Sequence, residues 1–147
     1  MILNDVLAKQ NVLNEVVIGE KMSTPTKVKV IRIRSAYSKI RQTFDEDVKN
    51  FSEQIISQEL KDLAAKEERT SEEEAILNKQ VNNVNSEYQE FLSQKLQEEV
   101  EVINDSFTEE EYAEILESNF GKDVEINGTT IKAEQFLEIL YNLFVKC

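Results

Sequence analysis

The sequence predicts a mainly α fold: a long antiparallel helical hairpin, with an N-terminal helix before it and a small C-terminal α+β cap containing a β-hairpin after it. Three observations carry this. Apolar residues recur every three to five positions over two stretches, 33–63 and 77–96, the spacing of a stripe along one helix face. The chain holds one Pro and three Gly in 147 residues, all outside those stretches. An Asn-Gly pair at 127–128, flanked by alternating apolar residues, marks a tight hairpin turn.

From the N-terminus, Leu3, Val6, Leu7, Leu13, Val16 and Val17 share one face of a helix over 2–18, and Gly19 is placed to end it in a left-handed cap. A linker from Lys21 to Thr26 follows. Thr24-Pro25 is a start signal, with Thr as N-cap and Pro at the first helical position, where its missing donor costs nothing. Ile33, Tyr37, Ile40, Phe44, Val48, Phe51, Ile55, Leu60 and Leu63 then predict one helix running to about Lys66. At 1.5 Å per residue it is roughly 60 Å long. Lys27-Val28-Lys29-Val30 alternates like a short strand, but the helical period takes it over without a break.

Glu67 to Thr70 is a polar turn, and Ser71 to Glu74 reads as a capping box, with Ser71 at the N-cap and Glu74 bonding back to it. Leu77, Val81, Val84, Tyr88, Phe91, Leu92 and Leu96 make the returning helix, nearly a heptad repeat. Two such helices joined by a short turn pack antiparallel. The second is shorter, so one end of the first needs another cover or projects, and residues 2–18 can supply that cover. Glu99-Val100-Glu101-Val102-Ile103 alternates like a strand. Thr108 to Glu111 is a second capping box, opening a short helix with Tyr112, Ile115 and Leu116 inward. Residues 124–131 form the hairpin, and Phe136, Leu137, Leu140, Tyr141 and Phe144 mark a last helix too short to cross a bilayer. The organisation expected is 1–98, N-terminal helix plus hairpin, and 99–147, the cap, as one continuous structure.

Composition narrows the chemistry. The chain has no His, so Ser-His-Asp and Cys-His nucleophile systems and His metal sites are excluded. Its single Cys, Cys147, allows no internal disulfide and reads as a spare thiol in a reducing compartment. Met-Ile-Leu-Asn-Asp has no basic n-region, so no secretory signal is expected. The acidic groups 45–47, 72–74, 98–99 and 109–111 read as solvated faces and helix starts, not as a metal site. No enzyme activity, cofactor, metal or membrane partner is expected.

The unusual feature is a basic segment. Residues 21–44 hold seven cations and no acid, a charge of +7, leaving −19 for the rest of a chain whose total is −12. Its functional reading is a docking patch for an acidic protein surface or a phosphate backbone; its bland reading is neutralisation of the chain's own acids. No aromatic stacking residues interleave the charges, Tyr37 sitting on the apolar stripe, which weakens single-strand nucleic-acid binding and favours protein. Lys27, Lys29, Arg32, Arg34 and Arg41 are the expected partner-binding residues. A helical hairpin buries one side of each helix, and Ile31, Ile56 and Leu92 fall off the main stripe, so a homo-oligomer or partner contact is expected.

The order of elements resembles a family of small, mainly helical tailed-bacteriophage proteins of unknown function. The resemblance spans about residues 2–118 and rests on Ile2, Asn4 and Leu7, on Pro25 ahead of a basic helix with Ser-Ala-Tyr-Ser-Lys-Ile at 35–40, on Glu87-Tyr88-Gln89-Glu90-Phe91-Leu92, and on Glu-Val-Glu-Val at 99–102. It implies a non-enzymatic structural or assembly protein of the virion (a connector, tail or portal-associated ring, or a packaged protein), found in the virion or host cytoplasm. Its partners would be further copies or other virion proteins. The alternative is a nucleic-acid-associated regulator using 21–44.

Overall fold

Helix α1 (Leu3–Leu13), α2 (Thr24–Ile55), α3 (Gln58–Ala65), α4 (Ser71–Leu96), α5 (Glu109–Asn119), strands β1 (Val124–Ile126) and β2 (Thr129–Ile131), and α6 (Ala133–Phe144) follow in that order in a computed structural model. Residues 1–145 are described; Cys147 lies outside them. The mainly α fold with a small β-hairpin is as the sequence predicts. Contacts gather the chain into two compact units, Met1–Arg41 with the described residues from Glu99 on, and Gln42–Glu98. This groups the N-terminal residues differently from a division into 1–98 and 99–147, because α1 and the first part of α2 close their core with α5 and α6.

In the first unit, Val6, Leu13, Val16, Val30, Ile33 and Tyr37 share one buried cluster with Phe107, Ile115, Phe136, Leu140 and Phe144. Burying each such large apolar side chain is worth about 1.5–3 kcal/mol. Residues 2–18 thus cover the start of α2 within the same chain. The rings of Phe107 and Phe144 lie 5.8 Å apart, and Lys9, almost fully buried, sits 5.3 Å over Phe144 while facing Asp105 at 3.6 Å. Tyr37 Oη donates to the same Asp105 carboxylate at 2.8 Å, so the buried charge is paired and hydrogen-bonded. The hairpin closes on the expected Asn-Gly turn and pairs Val124 with Ile131, with Asn127 and Gly128 both at positive φ (52° and 78°) as a type I′ turn requires.

Four expectations in this unit are corrected. The first helix stops at Leu13, because Arg34 of α2 takes the carbonyls of Leu13 and Val16 and pins the chain out of helical geometry there. Gly19 is not a left-handed cap; positive-φ glycines among the described residues are Gly121 and Gly128. A Cβ on Gly19 would stand 2.5 Å from Ser118 Oγ, so close approach demands the glycine. Thr24 is not the N-cap of α2, for it is already helical and Ser23 supplies the first carbonyl to Lys27 N at 3.0 Å. A distant acid, Glu114, accepts from Ser23 N at 2.6 Å and from the Thr26 hydroxyl. Residues 99–103 form no strand beyond a single bridge, Ile2 to Glu99, since Arg32 binds the carbonyls of Ile103 and Asn104.

The second unit holds the antiparallel pairing. Phe51 of α2 stacks on Phe91 of α4 with ring centroids 4.1 Å apart, and one turn away Lys95 reaches Asp47 at 2.8 Å. Both pairs sit in one antiparallel register. The single helix expected to reach Lys66 is instead broken after Ile55, where Ser57 Oγ accepts from Leu60 N at 3.1 Å and starts α3. Arg69 closes α3 by donating to the carbonyls of Leu63 and Lys66. The α4 capping box is one residue earlier than read from sequence, with Thr70 at the N-cap and Glu73 returning its bond, because Arg69 takes Glu74 at 2.8 Å. The α5 box, Thr108 with Glu111, is as expected.

Candidate protein-docking face

The five cations expected to bind a partner do different work. Arg34 and Arg41 turn inward. Arg34 serves the end of α1, and Arg41 donates to Gln10 Oε1, to Leu7 O at 3.3 Å and to Asn11 Oδ1 at 3.1 Å. Burial lowers the Arg34 pKa, partly offset by Glu15. Lys29 pairs with Glu111 at 2.8 Å and lies over the Phe107 ring. Burial of Glu111 pushes its pKa up, but the Lys29 and Thr108 hydrogen bonds outweigh it, and the carboxyl rests below its ordinary value. Of the five, Arg32 alone is exposed, and Lys27 is half-buried in the first turn of α2.

Arg32 belongs to the face of α2 opposite Ile33 and Tyr37. Val28 and Ile31 lie on that face, one turn apart, 58% and 55% exposed. A shallow groove of about 500 Å³ runs along it, lined by Val28, Ile31, Arg32, Ser35, Ala36 and Lys39. A neighbouring depression of about 470 Å³ shares Val28 and Arg32 and extends to Pro25 and Phe107. Arg32 donates to Ile103 O at 3.1 Å and Asn104 O at 2.6 Å, so the loop carrying the exposed Ile103 is tied beside the groove. Small residues at 35 and 36 leave room for an approaching backbone, and cations at the rim favour an acidic one.

The chain matches no family model, no curated protein and no solved structure.

Chemically, the face offers desolvation of apolar side chains with charge pairing around them, the anatomy of a protein interface. Among the described residues no group of three or more metal-ligating side chains converges, and no helix is long and apolar enough to cross a membrane. Ile31 is legible in sequence as an apolar residue off the main stripe. Val28 is harder to see, because Lys-Val-Lys-Val disguises its pairing with Ile31 at i and i+3. Phe120, 75% exposed just past α5, carries only the signal of an aromatic placed before Gly121.

Proposed function

We propose that the chain is a non-enzymatic structural or assembly protein acting through protein–protein contacts on the exposed face of α2, in the setting of a tailed-bacteriophage virion. The contact reading rests on one observation: Val28 and Ile31 are more than half exposed, side by side, on the stretch of α2 whose opposite face, Val30, Ile33 and Tyr37, is fully buried. Aliphatic residues left in water at the centre of a cationic face mark a surface that a partner covers. The virion setting is supported by the sequence resemblance alone. Nucleic acid is the weaker reading, since Lys29, Arg34 and Arg41 are engaged inside the fold. Few cations remain to neutralise phosphates, and phosphate binding has no use for Val28 and Ile31.

The test is the native mass by light scattering at low and high salt, for the wild type and for Ile31→Glu. A discrete assembly at low salt that shrinks at high salt, with the variant monomeric, is expected. A wild type monomeric at both salts, or a variant of wild-type mass, overturns the reading.

A further inference from the structure

We infer that the occupant of the α2 face is the solvent face of α5 from a second copy of this chain. The inference rests on the docking reading above and names the partner surface. Helix α5 carries Glu109, Glu110, Glu111, Glu114 and Glu117 and no cation, while the segment containing α2's face carries no acid. Glu111 and Glu114 are spent inside the fold, on Lys29 and on the start of α2. The residues left outward are Glu110, Ala113, Glu117 and Phe120, all exposed and three or four positions apart, so they line one stripe.

The two stripes match in length and in kind. From Glu110 to Phe120 is about 15 Å and from Val28 to Lys39 about 16 Å at the helical rise. Ala113 allows close approach, as Ser35 and Ala36 do opposite. Phe120 supplies the large apolar group that the Val28–Ile31 groove lacks. It is presented on a rigid base: Asn119, fully buried, accepts from Val17 N at 2.7 Å and donates to Val17 O and Ile115 O. Backbone already fixed beside the aromatic has little entropy left to lose on docking. Glu117 has only an exposed 3.7 Å pairing with Lys21 to give up. Both stripes belong to the first compact unit, so every copy offers both halves of the contact.

The experiment uses two charge-reversed full chains, Glu110→Lys with Glu117→Lys, and Lys27→Glu with Arg32→Glu, followed by light scattering at low salt. Each alone confronts like charges and is expected to associate at least about tenfold more weakly than wild type. A 1:1 mixture places the reversed α5 against the reversed α2 face and leaves the other contact native, so assembly returns in the mixture alone. Because Arg32 also holds the 103–104 loop, Ile31→Ser and Phe120→Ser, at exposed positions, give a second arm and should each lower the mass with an unchanged circular dichroism spectrum. Mixed chains that stay monomeric, or Phe120→Ser at wild-type mass, overturn the inference. If the α2 variants alone lose assembly, the face is a contact but α5 is not its occupant; if no variant changes the mass, the docking reading falls as well.

Discussion

Gly19 meets α5 where the chain after α1 passes Ser118. The nearest atoms to a new Cβ there are Ser118 Oγ at 2.5 Å and Ser118 Cβ at 2.8 Å, both closer than real contacts allow. Gly19→Ala should therefore lower stability by about 1–3 kcal/mol, the usual cost of overpacking. Gly19→Ala with Ser118→Ala should recover part of it, because the nearest atom is gone. Urea unfolding of the three chains checks this, and a Gly19→Ala protein as stable as wild type would refute the steric role. The neighbouring Asn119 explains why the approach is so close: it bonds both the N–H and the carbonyl of Val17, stitching the loop to the helix end. Glu114 acts similarly at the start of α2, and its bonds from Thr26 and Ser23 hold its carboxyl below the usual range. None of these three pairings is visible in sequence, since each joins residues about a hundred or ninety positions apart.

At the scale of elements, local signals decide where helices begin when no other part of the chain competes. Thr108 and Glu111 form their box as spaced. Around residue 70 two boxes are available, Thr70 with Glu73 and Ser71 with Glu74, and Arg69 selects the first by engaging Glu74. Thr70→Ala should cost about 1 kcal/mol of stability, the worth of an N-cap, and Ser71→Ala no more than about 0.5 kcal/mol. Chemical denaturation of both variants distinguishes the registers; the reverse order would restore Ser71 as the cap. The break at Ser57 belongs to the same scale. Stripe spacing continues through 55–63, so periodicity alone reads one helix, whereas the Ser57 hydroxyl bonding Leu60 N competes with the helical ladder and restarts it.

At the scale of the molecule, burial is unequal. Between residues 42 and 98 only Leu60 and Leu63 are buried, and α4 buries no residue fully, whereas α6 alone buries Ala133, Phe136, Leu137, Leu140 and Phe144. Local opening is easiest where few apolar contacts are lost. Amide hydrogen exchange should thus proceed faster across 77–92 than across 136–144, and equal protection of the two segments would contradict this ranking. Charge is unequal too: residues 21–44 carry +7 in a chain of net −12, so positive charge is confined to one stretch of an otherwise acidic chain.

The sequence by itself determined the mainly α class, the antiparallel pairing of the helices in 42–98, the Asn-Gly hairpin, the α5 box and the last helix. Each of these is signalled by periodicity or by turn chemistry within a few residues. It also marked 21–44 as the place where charge concentrates. Tertiary structure alone decided which of those cations are engaged inside the fold, that α1 stops at Leu13 where Arg34 takes the carbonyl, that Ile103 and Asn104 give their carbonyls to Arg32 where a strand was expected, and that Val28, Ile31 and Phe120 stand exposed. The physical reason is that a guanidinium or an apolar side chain takes its role from whatever carbonyl, carboxylate or core the rest of the chain brings to it, and that choice is not encoded at its own position.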